Sequence, residues 1–123
     1  RLAEATRRAI KAWGLEIICR EAKYYSPTIT AVLMPEGHDA DAFRALALDQ
    51  FNISYGSSFG RFAGKMFRIG HLGDINDAML LGGLAATEMA LALANVPHKK
   101  GGVQAAMDYL VSQHGRAAKQ AAE

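Results

Sequence analysis

Cysteine occurs once, at Cys19, which excludes an internal disulfide framework and fits a reducing compartment. Charge of one sign is also missing. Fourteen Lys and Arg face twelve Asp and Glu, and a net charge of +2 is too small to argue for nucleic acid or an anionic membrane. No apolar run is long enough to read as a membrane span: the longest, Ala78 to Ala94, is broken by Thr87 and Glu88. The basic start from Arg1 to Lys11 is not followed by a signal-peptide core or cleavage site. The four histidines, His38, His71, His98 and His114, show no paired ligand spacing, which with one cysteine argues against structural zinc.

What remains is a soluble-domain composition with 50% hydrophobic residues, 23 of them alanine. At 123 residues one domain is expected, with closely packed alanine-rich helices. The first residue is Arg and the opening is already helix-like, which reads as an excision from something longer.

Apolar spacing predicts a helix over 2–13, stopped by Gly14. Strands are predicted from Leu15 to Cys19, from Thr28 to Met34 before Pro35, and from Met66 to Ile69. Asp39 or Asp41 is positioned to cap a helix whose apolar face is Phe43, Leu46, Ala47 and Phe51. A long helix over 75–94 is read as capped by Asp74, with Asp77 as an imperfect capping-box partner. A last helix follows Gly101 and Gly102, marked by Val103, Met107, Leu110, Val111 and His114, before an alanine-rich tail over 115–123 that is expected to fray. Met79, Met89 and Met107 are expected in the core.

This order predicts an α/β (α+β) two-layer sandwich: a small, mainly antiparallel sheet of about three strands, with helices on one face. Residues 1–114 form the single expected domain. The bare sheet face needs a partner, whether a domain, another copy or solvent.

The sharpest local feature is Phe67-Arg68-Ile69-Gly70-His71-Leu72-Gly73-Asp74. On a strand, Phe67 and Ile69 point one way and Arg68 the other. If the first pair packs under the helices, Arg68 projects from the bare face as a planar fork suited to a carboxylate or phosphate. By spacing alone the simpler reading is an exposed arginine in a surface salt bridge. Gly70 and Gly73 permit a sharp reversal into the helix. Asp74 and Asp77 in that helix's first turn argue against phosphate binding by the loop itself. The acids Glu36, Asp39 and Asp41 read as caps and solubility. Ser57 and Ser58 lack the surroundings of an activated nucleophile, His71 beside Arg68 reads as a surface or turn histidine before a ligand contact, and Cys19 reads as a small buried residue.

The stretch Gly64-Lys65-Met66-Phe67-Arg68-Ile69-Gly70-His71-Leu72-Gly73 resembles the C-terminal part of class V pyridoxal-phosphate aminotransferases, most nearly the serine–glyoxylate and alanine–glyoxylate types. The likeness runs back through Thr28-Ile29-Thr30-Ala31-Val32-Leu33-Met34-Pro35-Glu36-Gly37 and forward into the helix after Asp74, covering most of 1–112. It implies the small-domain fold, and that Arg68 binds the α-carboxylate of amino-acid and oxo-acid substrates, with Gly70 and Gly73 turning the backbone beside the site.

The resemblance also implies that pyridoxal phosphate is held by a lysine in a large domain absent from this chain. None of Lys11, Lys23, Lys65, Lys99, Lys100 or Lys119 matches that lysine. The expectation is therefore an inactive domain fragment of a transaminase, with no cofactor of its own and the large domain and a second copy as partners. Alternatives are a non-catalytic dimerisation module or a nucleic-acid module like the KH domain, whose glycine loop, however, joins two helices. The end, Ala121-Ala122-Glu123, is not a peroxisomal tripeptide, so cytoplasm is the expected location.

Overall fold

A computed structural model describes residues 1–18, 29–57, 63–70 and 76–122. Its elements run α1 (Leu2–Trp13), β1 (Glu16–Ile17), β2 (Ile29–Leu33), α2 (Ala40–Phe51), β3 (Met66–Gly70), α3 (Asp77–Leu93) and α4 (Gly102–Ala122). The strands form one antiparallel sheet in the order β1-β2-β3, with Val32 opposite Phe67 and Ala31 opposite Arg68.

Alternation along the strands sets the two faces. Thr30, Val32, Phe67 and Ile69 are buried, whereas Ala31, Leu33, Met66 and Arg68 between them are half-buried. Phe67 meets Phe43 of α2 and Tyr55 at ring-centroid distances of 4.9 and 5.0 Å, which joins the sheet to the helical layer. Small residues let α1 and α4 pack together: Ala5, Ala9 and Ala106 are fully buried, and the Arg8 guanidinium lies 4.4 Å from the Tyr109 ring centroid.

Helix α1 ends at Gly14, which takes the left-handed conformation at φ 81° and donates back to Lys11. Asp39 caps α2, its carboxylate accepting from the Asp41 amide at 2.9 Å. The cap of α3 differs from expectation. Asn76 fills it, its side-chain oxygen accepting from the Met79 amide at 2.8 Å. Asn and Asp serve equally well at a cap, so composition did not distinguish the position. Asp74 lies outside the described residues. Asp77 instead pairs across the fold with Arg1 and with His114, whose Nε2 is 2.7 Å from its carboxylate.

Other expectations change with the packing. Strand β1 is only two residues long, and Cys19 falls outside the described residues. The tail continues α4 to Ala122, because Ala117, Ala118, Ala121 and Ala122 are strong helix formers despite Gly115. Met79 and Met89 are exposed rather than buried, Met107 is half-buried and Val111 is exposed. The face of α3 that meets this chain carries Leu80, Leu84, Thr87 and Leu91, and the methionines lie off it.

One polar node ties three helices together. The Glu88 carboxylate on α3 accepts from the Trp13 indole at 2.6 Å and from the Gly102 amide at 3.1 Å, satisfying an otherwise unpaired donor at the start of α4. Burial pushes the Glu88 pKa up, but the Trp13 indole and the amides of Gly102, Gly101 and Val103 outweigh it, so the pKa lies below its usual range. A depressed folded pKa gives stability that is present above the unfolded carboxyl value and is lost as pH falls through the folded one. Thermal melts should therefore show wild type more stable than Glu88→Gln at neutral pH, with the gap closing in acid. A gap independent of pH would contradict this account of the node.

Candidate functional site

The site is built from strand β3 and the chain on its other edge. Gly56 forms an isolated antiparallel bridge with Arg68: the Gly56 amide donates to the Arg68 carbonyl at 2.9 Å, and the Arg68 amide donates to the Gly56 carbonyl at 3.0 Å. Because both Arg68 backbone groups face Gly56, Ala31 on β2 is its non-hydrogen-bonded partner, the closer of the two cross-strand arrangements. Arg68 thus stands between two small residues, on the sheet face away from the helices, as its spacing predicts. No described residue pairs with its guanidinium, and its Nε is buried without a hydrogen-bond partner among them.

The glycines around Arg68 are not equivalent. A Cβ at Gly70 would meet no described atom within 4 Å, and its φ is outside the left-handed region, so local geometry does not demand glycine there. A Cβ at Gly56 would lie 3.1 Å from Arg68 Nε and 3.2 Å from Arg68 Cβ. Gly56 was not singled out by sequence, because its partner is twelve residues away and no short-range pattern encodes that pairing. Gly73 and His71 lie outside the described residues.

Among the described residues, two of the concavities bear on the titratable groups. One of about 180 Å³ on the helical side is lined by Tyr55, Ile69, Gly70, Met79, Leu84 and Thr87. At its wall the Thr87 hydroxyl donates to the Gly83 carbonyl at 2.8 Å, so its single proton is used and Tyr55 must donate to Thr87 Oγ1. Burial pushes the Tyr55 phenol up to about 12, the bond to Thr87 opposing only part of the rise, and this leaves it neutral. The other is an open groove by Glu36, His38, Asp39, Asp41 and Lys65. Its acids serve the cap and the Asp41–Arg44 pair at 3.2 Å. Among the described residues no cluster of His, Cys, Asp and Glu is placed to hold a metal, and no helix is long and apolar enough to cross a membrane.

No family model matches the chain. Its similarity to individual proteins is extensive. An L-aspartate–glyoxylate aminotransferase from Paracoccus denitrificans is 40% identical over 123 residues, 99% of this chain and 31% of that protein. A serine–glyoxylate aminotransferase from Hyphomicrobium methylovorum is 46% identical over 110 residues, 89% of this chain and 27% of its own length. The crystal structure of ureidoglycine–glyoxylate aminotransferase from Bacillus subtilis superposes with a TM-score of 0.80 at 36% identity, over 87% of this chain and 28% of that one.

The chain is homologous to class V aminotransferases. It spans less than a third of the length of these relatives and matches their C-terminal part. Pyridoxal-phosphate chemistry in such a protein calls for a lysine held in a sheltered pocket, where desolvation frees its amine to act as a nucleophile. Lys11, Lys65, Lys99, Lys100 and Lys119 are exposed, and Lys23 lies outside the described residues. What the chain does offer is the half-buried Arg68 guanidinium, which has no partner among the described residues and stands on the sheet face opposite Phe67 and Ile69.

Proposed function

We propose that this chain is the substrate-carboxylate-binding domain of a glyoxylate-type transaminase, and that Arg68 grips the carboxylate of each substrate in turn. The net reaction passes an amino group from serine or alanine to glyoxylate, giving glycine and the oxo-acid of the donor. Pyridoxal phosphate bound by a large domain would supply the amino-group carrier between the two. Arg68 supplies orientation: a bidentate, charge-assisted pair holds the acid end so that the adjacent carbon faces the reacting group.

The observation that carries the reading is the half-buried Arg68 side chain, on the sheet face opposite Phe67 and Ile69 between Ala31 and Gly56, with no described residue to neutralise it. The similarity to three glyoxylate aminotransferases supports the choice of acceptor. The exposed Met79, Met89 and Leu93 of α3 support a chain that packs against more protein, in keeping with a large domain and a second copy.

Two assays test the proposal. The chain by itself, mixed with pyridoxal phosphate and borohydride, should give no specifically labelled lysine and no glycine from serine and glyoxylate. Expressed with the sequence that precedes it in its reading frame, it should form glycine. Turnover by the chain alone, or an upstream sequence without a cofactor-binding domain, would overturn the reading.

A further inference from the structure

Resting on the carboxylate role of Arg68, we infer that Gly56 is a positioning residue, whose missing side chain leaves the space in which the Arg68 guanidinium lies. Three observations converge. The backbone bridge at 2.9 and 3.0 Å fixes Gly56 beside Arg68, so the two Cα positions cannot drift apart without breaking both bonds. A Cβ at 56 would approach Arg68 Nε to 3.1 Å, Cβ to 3.2 Å and Cζ to 3.6 Å. The guanidinium end would have to swing off the 3.1 Å contact, while the 3.2 Å contact with Arg68 Cβ needs the bridge to give by a few tenths of an ångström. Finally, Arg68 Nε is already covered without a hydrogen-bond partner among the described residues. A covered Nε leaves the two terminal nitrogens as the outward edge of the fork, and Gly56 thereby sets which edge meets the acid.

The requirement is for space rather than for backbone freedom. Gly56 has no positive φ, unlike Gly14, Gly37, Gly64 and Gly101. Alanine is therefore tolerated by the chain's conformation at this position and acts on Arg68 directly.

The test uses the complete transaminase as Gly56→Ala, Arg68→Ala and the double variant, with serine and ethanolamine as amine donors. Ethanolamine lacks the carboxylate, so the ratio of the two kcat/KM values reports the grip on the acid rather than general damage. Gly56→Ala should lower that ratio about tenfold, since a small misplacement of an orienting group has large kinetic effects. In the Arg68→Ala background the same change should leave the ratio within about twofold, because the group it displaces is gone. If Arg68→Ala leaves the ratio unchanged, the carboxylate reading itself fails. If Arg68→Ala lowers it and Gly56→Ala does not, or if Gly56→Ala slows both donors equally, the positioning inference alone is overturned. Wild type provides a check that needs no variant to fold: the Arg68 Nε–H should exchange with solvent at least about tenfold more slowly than in free arginine. Exchange at the free rate would show that the guanidinium does not lie against Gly56.

Discussion

Replacing Arg68 by alanine in the complete enzyme should lower kcat/KM for serine and for glyoxylate alike, by roughly two to four orders of magnitude. The figure follows from losing two hydrogen bonds to a charged group, each contributing about 1.5–3 kcal/mol. Both substrates suffer because both carry a carboxylate and the proposed grip serves each in turn. Arg68→Lys should recover only part of the loss, since an ammonium keeps the charge but not the planar fork. Steady-state kinetics with each substrate varied separately check this. A loss confined to one substrate, or full recovery with lysine, would show that Arg68 acts as a general positive charge or through the fold.

The second large effect is expected far from Arg68, at the start of α4. A Cβ on Gly102 would stand 2.2 Å from Trp13 Nε1 and 2.4 Å from Cε2, well inside contact distance of a ring that is almost fully buried. Neither side can yield easily. The indole is held by its bond to Glu88, and Gly102 is held by its amide bond to the same carboxylate. Gly102→Ala should therefore destabilise the domain by about 3 kcal/mol, the upper part of the usual range for overpacking. That corresponds to a fall in Tm of roughly 10–15 °C for a domain of this size. Thermal melts check it, and a fall of under about 3 °C would mean that α1 and α4 can separate at little cost. Shortening the ring with Trp13→Phe should relieve part of the clash in Gly102→Ala, so the two substitutions should be non-additive.

How much of this was legible in the sequence follows from the range of each interaction. The period-two rule placed Arg68 opposite Phe67 and Ile69, because side-chain direction along a strand needs no knowledge of the rest of the chain. Helix α1 was readable for the same reason, its apolar spacing and Gly14 both being local signals. The partners that complete the site were not. Gly56 reaches Arg68 through an isolated bridge, and Glu88 caps a helix other than its own. Neither leaves a short-range pattern. Misreading Met79 and Met89 as core has a different origin. Composition shows that α3 is apolar on more than one side, but only packing shows which side this chain covers.

A crystal structure of the complete transaminase with a non-reacting carboxylate analogue of glyoxylate bound would test the central claim most directly. The account predicts the analogue's two carboxylate oxygens about 2.7–2.9 Å from the terminal nitrogens of Arg68, with the guanidinium lying flat over Gly56. A carboxylate held by other residues, with Arg68 paired to an acid of the protein instead, would contradict it.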